Sequence, residues 1–235
     1  EILFDCNEMA KGHAYFNLTG ISVSEDNQWA SFGVDTVSRR QYTIQIKNLV
    51  TQELLPTKIE NTTGGSTWAG DNTTLFYSRK DEVTLRPDRI FKHKLGSDSS
   101  QDVLVYHEED ETFDVSVFKS KSKKYILINS DSTLTSEYQL VLSATPDADF
   151  KLFQKRKREL EYMVSHYEDH FYILTNKDKA TNFKLMKTHE NATASKHWVE
   201  VIPHRDEVLL EGIDIFKEYL VVSEKTNGLD RKSVV

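Results

Sequence analysis

A polar turn followed by a short apolar strand recurs five times along this chain of 235 residues. Aligned on a residue near the end of each strand, successive copies lie 45, 51, 46 and 48 residues apart; the aligned residues are Phe32, Tyr77, Ile128, Leu174 and Val222. This is the length of one β-propeller blade, which consists of four antiparallel strands joined by hairpins. A β-sandwich with coincidental spacing is the alternative.

Each interval of the repeat contains further strand-like segments, such as RRQYTIQIKNL after the first copy and DRIFKHKLG after the second. The pattern predicts an all-β fold, a partial β-propeller of four-stranded antiparallel blades. We expect residues 1–235 to form a single, incomplete domain, with four full blades at roughly residues 20–207 and partial blades at both ends. Residues 1–19 are interpreted as the tail of an earlier blade and a linker, with Ile2-Leu3-Phe4 in a strand.

Composition limits the classes of partner. The net charge of −7 and the pI of about 5.7 argue against nucleic acid, because phosphate binding needs a basic face. No apolar stretch approaches the roughly 18 residues that a membrane span needs, so no membrane partner is expected. Cys6 is the single cysteine, which excludes a disulfide within the chain. We expect a cytoplasmic protein, with the periplasm as the alternative.

The sequence carries no motif for catalysis. It contains no G-x-S-x-G nucleophile elbow, no H-E-x-x-H zinc motif and no glycine-rich phosphate loop. We therefore expect no catalytic residue, no metal site and no cofactor in this chain. His166 and His170 have the i, i+4 spacing of metal ligands on a helix, but they flank a turn of the repeat, so a solvated pair is favoured.

Two basic runs, Lys119 to Lys124 and Lys155 to Arg158, lie between strands of the repeat. The simplest interpretation is a charged hairpin tip that protects a sheet edge from pairing with other chains. A docking patch for another domain or subunit is the alternative for each run.

Several stretches carry a family resemblance, in colinear order and over nearly the whole chain. The most specific are DCNEMAKGHAYF (Asp5 to Phe16) and DTVSRRQY (Asp35 to Tyr42), followed by the stretches Trp68 to Gly96, Glu108 to Ser130, Ser132 to Tyr138, Thr175 to Met186 and Trp198 to Arg205. They resemble the propeller of oligopeptidase B (protease II), in the prolyl oligopeptidase family of serine peptidases. Cys6 and the strongly basic KRKRELEY (Lys155 to Tyr162) depart from the family pattern.

The resemblance implies a seven-bladed propeller that caps an α/β-hydrolase domain with a Ser-Asp-His triad. It implies cleavage of short basic peptides after Arg or Lys, with the propeller as a gate that keeps folded proteins from the triad. The catalytic domain would lie outside this chain. A stand-alone propeller that scaffolds protein partners is the alternative function.

Four residues are candidates for contacts with that absent α/β-hydrolase domain or for a substrate gate: Arg39, Arg40, Arg86 and Glu111. Each lies in a loop, and loops at one rim of a propeller are where a second domain docks. A solvated loop charge is the alternative for each of them. The apolar strands between Val208 and Val222 would lack complete neighbours, so we also expect self-association of open blade edges when the chain is isolated.

Overall fold

The computed structural model of the chain describes residues 2–234. Strands account for 53% of the residues and helical segments for 6%, which confirms the prediction of an all-β fold. The helical segments are α1 (Cys6–Met9) and the 3₁₀ turns Ser99–Gln101, Lys177–Lys179 and Ser195–His197.

The strands follow one another with short polar connections. They are β1 (Asn17–Val23), β2 (Trp29–Asp35), β3 (Tyr42–Asn48), β4 (Leu54–Trp68), β5 (Thr74–Lys80), β6 (Pro87–Lys94), β7 (Val103–His107), β8 (Asp114–Lys119), β9 (Tyr125–Ser132), β10 (Thr135–Leu142), β11 (Lys151–Leu152), β12 (Tyr162–Tyr167), β13 (His170–Thr175), β14 (Lys184–His189), β15 (Val199–Ile202), β16 (Leu209–Ile215), β17 (Leu220–Thr226) and β18 (Leu229–Val234). The sheet orders are β1-β2-β3-β4-β5-β6-β7, β11-β10-β9-β8, β12-β13-β14-β15 and β16-β17-β18. Neighbouring strands are antiparallel wherever their register is defined, as in β12–β13 and β13–β14.

The repeat anchors occupy equivalent places in these sheets. Phe32 lies in β2, Tyr77 in β5, Ile128 in β9, Leu174 in β13 and Val222 in β17, and each side chain is buried. Each anchor strand is the second of its repeat, with neighbours on both sides. In β2, β5 and β9 consecutive residues around the anchor are buried, so both faces of these strands are covered.

Strand β4 joins the first two repeats into one seven-stranded sheet. Its first half pairs with β3 and its second half with β5, and Thr62 is opposite both Tyr42 and Arg79. The backbone turns between the two halves at Asn61 and Gly64, whose φ angles are 57° and 88°. Such left-handed conformations favour Asn and Gly. The sequence pattern, which predicts separate four-stranded blades, does not reveal this shared strand.

At Gly64 the backbone of β4 also lies close to Gly20 of β1 and Gly33 of β2. A Cβ atom at Gly20 would lie 2.2 Å from the Gly64 carbonyl oxygen, and one at Gly33 would lie 2.4 Å from the Gly64 Cα. No real Cβ tolerates such distances, so β1 and β2 can meet β4 here only through glycine.

The chain divides into two compact units. The first comprises the described residues up to Lys119 together with Lys123–Ser130 and Leu140–Phe150; the second comprises Ser120–Ser122, Asp131–Gln139 and the described chain from Lys151 onward. The sheet β8–β11 contributes residues to both units. The prediction of a single domain stays a prediction.

Each unit has its own apolar core. In the first, one cluster contains Ile44, Ile46, Ile59, Trp68, Leu75 and Tyr77, and another contains Ala69, Phe76, Ile90, Val115, Ile126, Ile128 and Val141. In the second, Leu174, Leu185, Leu210 and Val222 pack together. Phe153, Tyr162, Phe171 and Trp198 form an aromatic cluster there, with ring centroids 4.9–6.3 Å apart. None of the helices within residues 2–234 has the length and apolar character that crossing a membrane requires.

The start of the chain differs from the prediction. Ile2-Leu3-Phe4 does not form a strand, and β1 of the first repeat begins at Asn17, inside the segment interpreted as an earlier blade and linker. The Asp5 carboxylate accepts hydrogen bonds from the backbone N–H groups of Asn7 and Glu8, at 3.0 and 3.1 Å, and starts helix α1. Phe4 instead packs on Phe32, with ring centroids 4.5 Å apart.

Candidate functional site

The charged loops at the ends of β2, β5 and β7 form the candidate site, which we call the loop edge: residues 36–41, 81–86 and 108–113 of the first unit. All four residues singled out from the sequence lie in these loops. Arg39 and Arg40 lie in the first, Arg86 in the second and Glu111 in the third.

Asp35 fixes the conformation of the first loop. Its buried carboxylate accepts four backbone N–H groups, from Val37 and Ser38 at 2.8 and 3.0 Å and from Arg39 and Arg40 at 3.1 and 2.8 Å. Burial by itself would raise the pKa of Asp35, but these hydrogen bonds outweigh it and hold the pKa below its ordinary value. The loop is thereby fixed with the side chains of Arg39 and Arg40 exposed.

Lys80 connects the first loop to the second. Its Nζ donates to the Arg40 carbonyl oxygen at 2.5 Å, and Arg89 Nη2 donates to the Lys80 carbonyl oxygen at 3.0 Å. Burial, and then the positive charge of Arg40, lower the pKa of Lys80. The Lys80 hydrogen bond therefore joins the start of the second loop to the first loop.

Arg86 connects the second loop to the third. Its Nη1 donates to the carbonyl oxygens of Phe113 and Asp110 at 2.5 and 3.3 Å, and its Nη2 donates to that of Glu108 at 3.0 Å. The half-buried Arg86 guanidinium is therefore bonded to other parts of the chain. The same bonds fix the backbone of the third loop, on which the exposed Glu111 lies. Arg86 thus positions Glu111, while Arg39, Arg40 and Glu111 present their side chains to solvent.

The exposed charges of the loop edge are segregated by sign. Loop 36–41 carries Arg39 and Arg40, whereas loop 108–113 carries Glu109, Asp110 and Glu111, all exposed. A complementary partner surface would need carboxylates opposite the first loop and cations opposite the third.

Sequence reasoning missed Asp35 and Lys80, and it singled out Arg86 without recognising that this side chain holds loop 108–113. Asp35 is local to its loop, and an Asp at the end of a strand before a polar turn is a signal that could have found it. The Arg86 contacts span 22–27 residues along the chain, so no local pattern announces them.

The expectation that His166 and His170 form a solvated turn pair is wrong for His166. Its side chain is fully buried at the end of β12, with Nδ1 2.8 Å from Ser122 Oγ and Nε2 2.9 Å from Glu190 Oε2. These partners come from distant turns and compensate its burial. His170 is partly exposed and contacts Asp169. Within residues 2–234, no group of three or more His, Cys, Asp or Glu side chains is arranged to hold a metal ion.

The basic runs differ from each other. Ser120–Lys124 is the turn between β8 and β9, as expected for a hairpin tip. Lys155 to Arg158 is not a hairpin tip, because it lies in the connection from β11 to β12, which belong to different sheets.

Repeated antiparallel sheets of this kind define a β-propeller domain. Residues 1–234 match the family model described as "Prolyl oligopeptidase, N-terminal beta-propeller domain", and the chain belongs to this family. The resemblance and the fold class inferred from the sequence are thereby confirmed.

Two curated relatives match the chain over its whole length. Dipeptidyl aminopeptidase BI of Pseudoxanthomonas mexicana is 40% identical over 235 residues, which cover 100% of this chain and 32% of that protein. Protease 2 of Moraxella lacunata is 33% identical over 237 residues, which cover 100% of this chain and 34% of that protein. The chain therefore spans about one third of the length of these relatives.

Solved structures of oligopeptidase B superpose on the whole chain. Oligopeptidase B from Leishmania major superposes with a TM-score of 0.93 at 28% identity, over 100% of this chain and 33% of that one. Oligopeptidase B from Trypanosoma brucei, in a closed form with covalently bound antipain, gives a TM-score of 0.90 at 27% identity, again over 100% and 33%.

Proposed function

We propose that this chain is the gating, non-catalytic part of a serine oligopeptidase that cleaves short peptides after Arg or Lys. Membership of the propeller family and the likeness to oligopeptidase B structures support the parent activity. The sequence lacks a nucleophile elbow, so the bond-breaking groups would come from an α/β-hydrolase domain outside this chain. The Arg or Lys preference rests on the resemblance to oligopeptidase B.

The loop edge is proposed to receive that hydrolase domain. The observation that carries this proposal is the loop 36–41, whose four N–H groups are held by one buried carboxylate while Arg39 and Arg40 are exposed. Because the loop backbone is already ordered, less conformational entropy is lost when Arg39 and Arg40 pair with carboxylates of a partner. The acidic loop 108–113 would add a second set of ion pairs of opposite sign.

Gating would follow if the hydrolase domain closes onto the propeller at the loop edge. A hydrolase domain held against the propeller would be reached by a flexible peptide and not by a folded protein. Closure would also exclude water from the reacting bond. Ion pairs across the edge would set how readily the two domains separate to admit the substrate.

The experiment that tests this function compares the complete polypeptide with residues 1–235 alone. We expect the complete polypeptide to release a fluorophore from peptides that end in Arg or Lys, and to be blocked by a serine-directed phosphonate. The isolated chain should be inactive. Turnover by the isolated chain, with contamination excluded by mass spectrometry, or a complete reading frame without a G-x-S-x-G turn, would contradict the proposal.

A further inference from the structure

Arg79, at the end of β5, lines a cavity of about 620 Å³ in the first unit. The cavity walls come from the first half of β4, the end of β5, the loop after it, β6 and the connection between β6 and β7; they include Lys58, Glu60, Arg89, Phe91 and Asp102. Lys80 and the loop-edge residue Glu82 also line the cavity, but none of the four candidates Arg39, Arg40, Arg86 and Glu111 does.

The guanidinium of Arg79 rests on two stacked aromatic rings. Its Cζ lies 4.7 Å from the centroid of Phe91 and 5.8 Å from that of Tyr77. The two rings are themselves nearly parallel, with centroids 5.8 Å apart and an interplanar angle of 17°. We call the stacked rings of Tyr77 and Phe91 the shelf. Arginine stacks well on aromatic faces, so the shelf restrains the guanidinium while leaving its edge accessible.

A buried hydrogen-bond network fixes this shelf. Tyr77 Oη donates to Asp102 Oδ2 at 2.7 Å, and His93 Nδ1 lies 2.6 Å from Asp102 Oδ1. Tyr77 and His93 are fully buried. Burial first, and then the Asp102 carboxylate, raise the pKa of Tyr77, so its hydroxyl remains a donor. The hydrogen bond to Asp102 restrains the buried Tyr77 ring.

Three charged residues that line the cavity, Lys80, Arg89 and Asp102, have hydrogen-bond partners within the chain, but the Arg79 guanidinium does not. Lys80 donates to the Arg40 carbonyl oxygen, Arg89 contacts Asp88, and Asp102 holds Tyr77 and His93. Within residues 2–234, the Arg79 guanidinium donates no hydrogen bond and forms no ion pair. A half-buried, restrained fork of five N–H donors is matched by a planar carboxylate, which accepts two parallel hydrogen bonds.

We propose that this cavity binds a carboxylate of a peptide, held by two hydrogen bonds from the Arg79 guanidinium. Glu60 and Glu82 also line the cavity and repel a ligand with several negative charges, which favours one carboxylate beside amide or ammonium groups over a phosphate. The carboxylate comes either from a peptide C-terminus or from an acidic side chain. The inference does not depend on the proposed docking role of the loop edge.

The test uses the complete polypeptide and two pairs of probes in titration calorimetry. N-acetyl-dialanine and its C-terminal amide test the terminal carboxylate; N-acetyl-glutamate amide and N-acetyl-glutamine amide test the side-chain carboxylate. We expect the acid of at least one pair to bind more tightly than its amide. Arg79→Ala should abolish this difference, and Arg79→Lys, which keeps the charge but loses the fork, should weaken acid binding about tenfold.

Arg231→Ala, which removes an exposed arginine of β18, serves as the matched control and should leave acid binding unchanged. If Arg79→Ala fails to fold, the Arg79→Lys variant decides. Equal binding of acid and amide to the wild type in both pairs, or an acid preference that survives both Arg79 variants, would overturn the proposal.

Discussion

At the scale of single residues, Asp35 holds the first loop of the loop edge through four backbone hydrogen bonds. We expect Asp35→Asn to destabilise the protein by about 2–3 kcal/mol. The hydrogen bonds to a charged acceptor are lost, and two of the four backbone N–H groups face the NH₂ group of the new amide, which cannot accept a hydrogen bond. The free energy of unfolding in urea measures the effect. Asp114→Asn, at an exposed carboxylate outside the loop edge, is the control and should change stability by less than about 0.5 kcal/mol. Equal effects of the two substitutions would show that Asp35 does not stabilise loop 36–41.

The same carboxylate makes a prediction about pH. Its pKa in the folded protein lies below the ordinary value of 3.8, so its contribution to stability is complete above that value. The contribution is lost as the pH falls through the folded pKa, because the unfolded chain then binds the proton more readily. We expect the stability difference between the wild type and Asp35→Asn to be constant from pH 7 to pH 5. It should shrink below about pH 4 in urea titrations. A difference that grows on acidification would contradict this assignment.

At the scale of elements, the glycines at the β4 crossing carry a second prediction. Gly33→Ala would place a Cβ 2.4 Å from the Gly64 Cα, and backbone cannot move aside as a flexible side chain can. We expect a destabilisation of about 3 kcal/mol or more, measured by thermal and urea unfolding. Gly65→Ala is the matched control, because its Cβ would meet nothing within 4 Å. A Gly33→Ala protein as stable as the Gly65→Ala protein would show that the crossing can relax.

The elements also show what could be predicted from the sequence. The anchors Phe32, Tyr77, Ile128, Leu174 and Val222 all lie in buried second strands, because strand burial leaves a local apolar pattern. The shared strand β4 depends on Gly20 and Gly33 meeting Gly64, far apart in the chain. The burial of His166 likewise depends on Ser122 and Glu190, 44 and 24 residues away. In the loop edge, a family string points to Arg39 and Arg40 and the position in a linker points to Arg86 and Glu111, but the contacts that Arg86 makes are long-range.

At the scale of the whole molecule, the docking role of Arg39 and Arg40 can be tested by charge reversal. In the complete polypeptide we expect Arg39→Glu with Arg40→Glu to lower kcat/KM for an Arg-terminated peptide by about tenfold or more. The reason is that carboxylates of the hydrolase domain would then face like charges. The unfolding midpoint of residues 1–235 should stay unchanged, since both side chains are exposed. Arg231→Glu with Lys232→Glu on β18 is the control of equal charge change. Unaltered kcat/KM in the Arg39 and Arg40 variant would exclude this docking contact.

The last sheet carries the prediction of self-association. Leu210, Ile215 and Val222 are already buried there, so fewer apolar side chains drive association than the sequence indicated. Phe216 and Tyr219 remain 40% and 45% exposed and stack on each other with centroids 4.8 Å apart. We expect light scattering on residues 1–235 alone to show a concentration-dependent rise in mass.

Phe216→Ser with Tyr219→Ser should reduce that rise, whereas Val83→Ser, at an exposed apolar residue of another loop, should not. A monomer over a wide concentration range, without binding of a hydrophobic dye, would refute the prediction.

The shared strand β4 also limits how this domain can be taken apart or rebuilt. A repeat protein is usually modular, so that one unit can be deleted, duplicated or exchanged at its linker. Here the first two repeats have no linker between them, because one continuous strand serves as the last strand of the first and the first strand of the second. A cut at Asn61 would leave two open sheet edges in place of one intact ladder. Recombination, whether by evolution or in the laboratory, should therefore treat these two repeats as one heritable module and exchange segments at the β11–β12 or β15–β16 connections instead.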